Sequence, residues 1–477
     1  MTPEEFRVAG HQLIDWIADY RTDVEQRPVK AQVEPGEVKR ALPATPPEGT
    51  EGIEALLSDL DDIVVPGTFM AQHPMHFGWF PSNAALSSVL GDMASSGLGG
   101  LGISWESCPS LTEVEEVVCD WMRQLTGLSN AWSGAINDTA STSTLTGLLV
   151  ARERATGLSQ NAAGMQAMAQ PLVVYATEQS HSSVAKAALL AGFGWDNIRI
   201  VATDPVTYAM DPSALADAIA VDVAAIRLPA AIIATTGTTS VTAMDPVAAI
   251  VDVARVNNVW VHLDAAMAGS AMLLPEYRHL WDGVEGVDSV SWNPHKWMGT
   301  ILDCSLFYMR DVELLNRVMS TNPTYLRSAV DGEVTQYRDW GIPLGRRFRA
   351  MKLWFQLRID GVEALQERLR RDLANAQWFS ELVVSAGAPW SVVAPVQLQT
   401  VCVRHEPVVD GVALSGEALD AHTQQWIKTL NESGSTFLSG AVIDGRWMAR
   451  VSIGVEATER HHLERLWLLM NEAAGSV

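Results

Sequence analysis

The pattern of apolar and polar positions changes three times along the chain. At the N-terminus Phe6, Leu13, Ile17 and Tyr20 recur at helical spacing. Thr2, Pro3 and Glu5 stand where an N-cap, a first helical residue and a capping box belong. This predicts an amphipathic helix whose stripe needs a partner surface. The stretch "RPVKAQVEPGEVKRALPATPPEG" (residues 27–49) is too rich in proline for one long helix and reads as an extended connector. Between about residues 85 and 350, helical patterns alternate with "PLVVYAT", "AAIIATT", "VWVHLDAA" and "CSLFYMR". These runs are apolar at nearly every position, as strands covered on both faces are. A parallel sheet between helical layers is therefore expected. Beyond "PLGRRFRAMKLWFQLR" the chain turns to charged helices and shorter strands, the look of a smaller α+β domain.

The expected division is an N-terminal helical arm over residues 1–85, a large α/β domain over 86–355 and a small C-terminal α+β domain over 356–477. A chain of 477 residues exceeds the size at which one core stops growing, which fits several units. The formal net charge of −23 repels phosphate backbones and anionic lipid, so nucleic acid and membrane are poor partners. Four scattered cysteines without a Cys-x-x-Cys pair speak against a disulfide framework or a zinc cluster. With no signal-peptide pattern at the start, the expected compartment is the cytoplasm.

The candidate chemistry lies in the middle of the chain. "GLGGLG" (97–102) matches the dinucleotide fingerprint in letters, but it follows a helical pattern rather than a strand. It is a weak basis for an NAD-dependent oxidoreductase. "NDTASTSTL" brings Thr139, Ala140 and Ser141 to the start of a helix, where free N–H groups can hold a phosphate; small hydroxylated residues are also ordinary caps. Asp264 ends an apolar strand run, and His181 follows another at a strand-to-helix turn. "AAIIATTGTTS" carries Thr239 just beyond its strand. In "SVSWNPHKWMGT", Lys296 stands among Trp292, Pro294, Trp297 and Met298. A lysine there either snorkels outward or is desolvated to become nucleophilic toward a carbonyl. Together these parts suit a phosphorylated aromatic aldehyde bound as a Schiff base, as pyridoxal 5'-phosphate is.

The segments "HPMHFGWFPSNA", "GISWESCPSLTEVE", "QSHSSVAKA", "LDAAMAGSAMLLPEYRHLWDGVEGVDSVSWNPHKW" and "YRDWGIPLGRRFRAMKLWF" resemble the aromatic L-amino acid decarboxylases, group II of the pyridoxal-phosphate decarboxylases. The resemblance implies a fold type I (aspartate aminotransferase-like) enzyme, a homodimer with interfacial sites, and an N-terminal arm packed on the partner. It implies that Lys296 anchors the cofactor, His181 stacks on its ring and Asp264 meets its pyridine nitrogen. Ala266 would pack under the ring, with Thr239 near the stacked histidine. Thr139, Ala140, Ser141, Asn293 and His295 would hold the phosphate. Tyr325 would protonate the decarboxylated product, within a stretch to Tyr337 that suits a lid. Trp79, Phe80, Pro81, Ser82, Leu101, Ile103, Trp297, Leu302 and Gly345, with His181, would form the substrate pocket.

That lining implies an aromatic L-amino acid substrate and disfavours glutamate. Glycine at 345 leaves room for bulky rings, and Trp79 replaces a tyrosine usual in the family. The implied lean is toward tryptophan or phenylalanine, with tyrosine and dopa next. An aldehyde synthase of the same fold is the alternative, and Tyr325 with His181 favours the simple decarboxylase.

Overall fold

The computed structural model describes residues 1–321 and 330–476. Its contacts divide the chain into two compact units. The larger comprises Ser82–Gln377 and Ala394–Val401, and the smaller Met1–Pro81, Trp378–Val393 and Cys402–Val477.

The larger unit is built on a seven-stranded sheet: β1 (Ser133–Asn137), β2 (Leu172–Thr177), β3 (Ile198–Val201), β4 (Leu228–Thr235), β5 (Trp260–Asp264), β6 (Ser289–Trp292) and β7 (Ser305–Met309). The spatial order is β1-β7-β6-β5-β4-β2-β3. β3, β2, β4, β5 and β6 run parallel, while β7 is antiparallel to both β6 and β1. The four apolar runs are strands as expected, and β2, β5 and β7 are buried at every position. The sheet is mainly parallel, as expected, and β7 is its antiparallel member. The chain between β6 and β7 turns straight back rather than crossing over through a helix, and that reversal carries Lys296.

In the parallel section Thr235 pairs with Asp264, and Asp264 with Ser291. The strands thus end side by side at their carboxyl termini, the edge where open α/β sheets bind ligands. The helix Ala140–Ala155 packs across the sheet, burying Leu148, Val150 and Ala151 against Val174, Ile233, Trp260 and Phe307. Gly147 permits this approach, because a Cβ there would lie 3.1 Å from His262 Nδ1. "GLGGLG" begins inside the helix Leu86–Leu98, which Gly99 terminates at φ +61°; the fingerprint has no strand before it.

In the smaller unit the helix Pro3–Asp23 starts with the capping box read from sequence, and none of its residues is buried. The connector is extended except for a short helix, Glu37–Ala41. A four-stranded sheet orders Ser439–Ile443, Arg446–Ser452, Thr400–His405 and Trp390–Val392. The arm expected as a separate unit clusters with the C-terminal segment instead. Val29 N–H donates to Gly434 O (2.8 Å), Phe77 N–H to Phe437 O (2.9 Å) and Thr458 Oγ1 to Pro74 O (2.8 Å). The later boundary falls at 377/378, inside the helix Val362–Ala386, rather than at 355/356.

Candidate active site

All the expected cofactor-binding residues lie in the larger unit, in segments that follow β1, β2, β4, β5 and β6. Asp264 closes β5 and is buried; its Oδ1 accepts from Ala266 N–H (3.0 Å), which holds the carboxylate over the turn. Asn293 N–H donates to Ala266 O (2.9 Å), tying the turn after β5 to the turn after β6. Lys296 sits within Pro294–Met298 at φ −97° and ψ −112°, so the one-turn helix is broken at the lysine itself.

Three groups share an electrostatic field here. Burial lowers the Lys296 pKa below its ordinary value, and the Asp264 charge opposes that shift. Partial burial and then the positive charge of Lys296 lower the His181 pKa, again opposed by Asp264. A lowered lysine pKa enlarges the fraction of neutral, nucleophilic amine at a given pH. His181 caps the helix Ser182–Leu190, its Nδ1 accepting from Ser183 N–H (3.2 Å). The ring proton is therefore assigned to Nε2.

The phosphate candidates are arranged at a helix start. Thr139 is the N-cap of Ala140–Ala155 but makes no side-chain cap bond, and its own N–H goes to Asp138 Oδ1 (2.7 Å). The first helical N–H groups, at Ala140 and Ser141, are left for an anion. His295 is buried and neutral, its pKa lowered to about 4, chiefly by burial and next by Lys296; Nδ1 accepts from Cys304 N–H (2.9 Å). Asn293 Oδ1 is buried without a partner among the described residues, an acceptor awaiting a donor. Thr239 lies in the loop after β4, which turns at Gly237 (φ +77°) and is closed by Thr238 Oγ1 accepting from Ala243 N–H (2.9 Å). A cradle for an anion, a desolvated amine and a carboxylate at one sheet edge fit a phosphorylated carbonyl compound.

A family profile described as the pyridoxal-dependent decarboxylase conserved domain matches residues 35–406. The chain belongs to the pyridoxal-dependent decarboxylases. Over 490 residues, covering 100% of the decarboxylase and 96% of its relative, it is 37% identical to tryptophan decarboxylase 2 of Oryza sativa subsp. japonica. It is 38% identical to phenylacetaldehyde synthase of Arabidopsis thaliana over 484 residues, covering 100% and 97% of the two chains. Among solved structures, that of Oryza sativa TDC with PLP and tryptamine superposes at a TM-score of 0.96 with 36% identity, covering 100% and 99%. The cofactor of the decarboxylase is pyridoxal phosphate, and its fold is that of the fold type I enzymes.

Of the substrate-binding residues expected from sequence, Trp79, Phe80 and Pro81 belong to the smaller unit, and Ser82, Leu101, Ile103, Trp297, Leu302 and Gly345 to the larger. Trp79, Leu101 and Leu302 are more than half exposed. Gly345 is exposed too, and a Cβ added to it meets nothing within 4 Å. Trp297 departs from the expectation. It is fully buried and its ring N–H donates to Asp372 Oδ2 (3.0 Å), so it is core and not an accessible wall. Tyr325 lies outside the described residues.

Sequence reasoning missed two buried supports. His262, two residues before Asp264 and so on the same strand face, bonds Ser289 Oγ (2.8 Å) and Thr144 Oγ1 (3.2 Å). Burial lowers its pKa to about 4. The period-2 spacing in "VHLD" was its only signal. Asp245 accepts from Thr235 N–H and Met210 N–H (both 2.7 Å), holding the end of β4, and nothing in the spacing marks it.

Proposed function

We propose that this decarboxylase removes the carboxylate of aromatic L-amino acids, releasing carbon dioxide and an arylalkylamine, with tryptophan and phenylalanine ahead of tyrosine and dopa. The observation that carries the reading is the desolvated Lys296 amine sharing its field with Asp264 and His181 beside the strand ends. The named activities of the relatives support the aromatic class.

Bound there, pyridoxal phosphate supplies an aldehyde that links reversibly to amines and a ring that withdraws electrons from the substrate Cα. The chain's residues do the rest. Lys296 Nζ would anchor the cofactor through its aldehyde. The Asp264 carboxylate would hold a proton on the cofactor's ring nitrogen. The imidazole of His181, its proton on Nε2, presents a flat face that fixes the plane of the reacting atoms. Ala140 and Ser141 N–H groups, with Asn293 and His295, receive the phosphate. Tyr325 gives Cα the proton that makes the product an amine.

The homodimer belongs to the same reading. It is supported by a helix, Pro3–Asp23, that buries none of its residues and leaves Phe6 65% exposed. Four scattered cysteines without a Cys-x-x-Cys pair support a reducing, cytoplasmic setting. No helix among the described residues is long and apolar enough to cross a membrane.

The test is to incubate the holoenzyme with L-tryptophan, L-phenylalanine, L-tyrosine, L-dopa and L-histidine and quantify carbon dioxide, amine, aldehyde and peroxide. Amine in step with carbon dioxide from an aromatic substrate is the expected result. Aldehyde with peroxide would favour the second reading, an aldehyde synthase, which the similarity to phenylacetaldehyde synthase keeps in view.

A further inference from the structure

The turn that carries Lys296 is gripped from outside the sheet. Arg368, on the helix Val362–Ala386, donates through Nη2 to Trp297 O (2.6 Å) and Met298 O (2.7 Å). These are the last carbonyls of the one-turn helix, the negative end of its dipole, where a guanidinium is well placed. Four residues on, Asp372 accepts from the Trp297 ring N–H (3.0 Å) and faces Arg368 (3.6 Å) and Arg371 (3.3 Å). Gln356 adds a third hold, donating to Met298 O (3.3 Å) and accepting from Thr300 Oγ1 (2.6 Å). Gly299, at φ +99°, lets the chain leave the turn close to Arg368; a Cβ would stand 3.4 Å from Nη2. Trp297 and Asp372 are inaccessible, so neither can touch a substrate.

We propose that Arg368 and Asp372 are positioning residues for Lys296: one holds the carbonyls and the other the indole of the residue next to the lysine, and together they set where its amine stands relative to Asp264. This rests on the reading that Lys296 anchors the cofactor. A turn interrupted at Lys296 does not hold one geometry alone, and a displacement of about 1 Å at a reacting group costs on the order of 100-fold in rate.

The experiment compares Arg368→Met, Arg368→Lys, Asp372→Asn, Trp297→Phe and the Asp372→Asn/Trp297→Phe double variant with the wild type. It reads the Kd of the apoenzyme for pyridoxal phosphate, the visible spectrum of the holoenzyme, kcat and KM. The expected result is a kcat lowered about 10-fold or more with KM changed less than about 3-fold, a weaker Kd and altered absorbance bands. Arg368→Lys recovers part of the loss, and the double variant is no worse than the poorer single one, since both break one tie. Wild-type Kd and spectrum in folded Arg368→Met and Trp297→Phe, or additive losses in the double variant, would overturn the proposal. If Arg368→Met does not fold, Trp297→Phe, which removes the indole N–H together with part of the buried ring system, decides in combination with the double variant. Borohydride reduction of the wild type separates the two failures: absence of a pyridoxyl group on Lys296 defeats the underlying reading, whereas its presence with indifferent variants defeats this inference only.

Discussion

Two lysines of the larger unit, Lys296 and Lys352, have opposite surroundings. Lys352, on the helix Ala350–Ile359, is fully buried, yet its Nζ donates to Asp303 O (3.0 Å) and is paired with Asp303 (3.4 Å) and Asp92 (3.5 Å). Arg349 also binds the Asp303 carboxylate through two nitrogens (3.1 and 3.2 Å). Lys296 is desolvated with Asp264 as its opposing charge, and the balance falls on the side of burial. Burial alone therefore does not make a reactive amine. Lys352 is tied into a network of two carboxylates and a carbonyl, whereas burial lowers the pKa of Lys296 and so favours its release of a proton.

The difference can be broken most severely at Lys296. Lys296→Ala is expected to lower kcat at least about 1,000-fold, and Lys296→Arg to do no better, because a guanidinium cannot be deprotonated to attack a carbonyl. Neither loss should be accompanied by a lower melting temperature. Asp264→Asn comes next: a fall in kcat of about 100-fold with KM changed by less than about 3-fold, read from steady-state kinetics, because the charge acts on the reacting state more than on binding. Lys352→Met reverses the pattern. It takes one cation from Asp303, which keeps Arg349, and from Asp92, which keeps Arg347, and should cost about 2 kcal/mol in denaturant unfolding while the holoenzyme keeps its absorbance.

The smallest effect concerns the buried imidazole on the strand that ends in Asp264 and appears only with pH. His262 is held neutral with a pKa of about 4, below the ordinary 6.5. As pH falls from 6.5 towards 4 the unfolded chain takes up a proton that the folded chain refuses, so stability declines by about 1.4 kcal/mol per pH unit for this group. Asp245 and Asp372 act in the opposite sense, since burial raises both to about 6 and the fold binds their protons more readily than the unfolded chain does. His262→Asn leaves those two in place. The stability difference between pH 7 and pH 5 should therefore shrink by about 2 kcal/mol in the variant.

The contrast between the lysines was half legible in the sequence. Lys296 stood out because it interrupts an apolar, aromatic stretch after a strand run, and Asp264 because it ends one. Lys352 carried no such signal: "RAMKLWF" reads as an ordinary helix, and its partners Asp92 and Asp303 lie far away in sequence. The buried strands were visible as unbroken apolar runs, whereas β1, with Gly134 and Asn137, and the four-residue β3 were too short or too mixed to register. Strand direction was also hidden, since an apolar run looks the same in β7 as in its parallel neighbours. Trp297 shows the limit most plainly. An aromatic beside a reactive lysine suits a pocket wall as well as a core, and its partner Asp372 is 75 residues away.

The most direct test of the account is to reduce the holoenzyme with borohydride, digest it and locate the pyridoxyl group among the six lysine peptides by mass spectrometry. The label is expected on the peptide containing Lys296, with the Lys352 peptide unmodified. A label on Lys352, or none on Lys296, would contradict the claim that Lys296, its pKa lowered by burial beside Asp264, is the working amine.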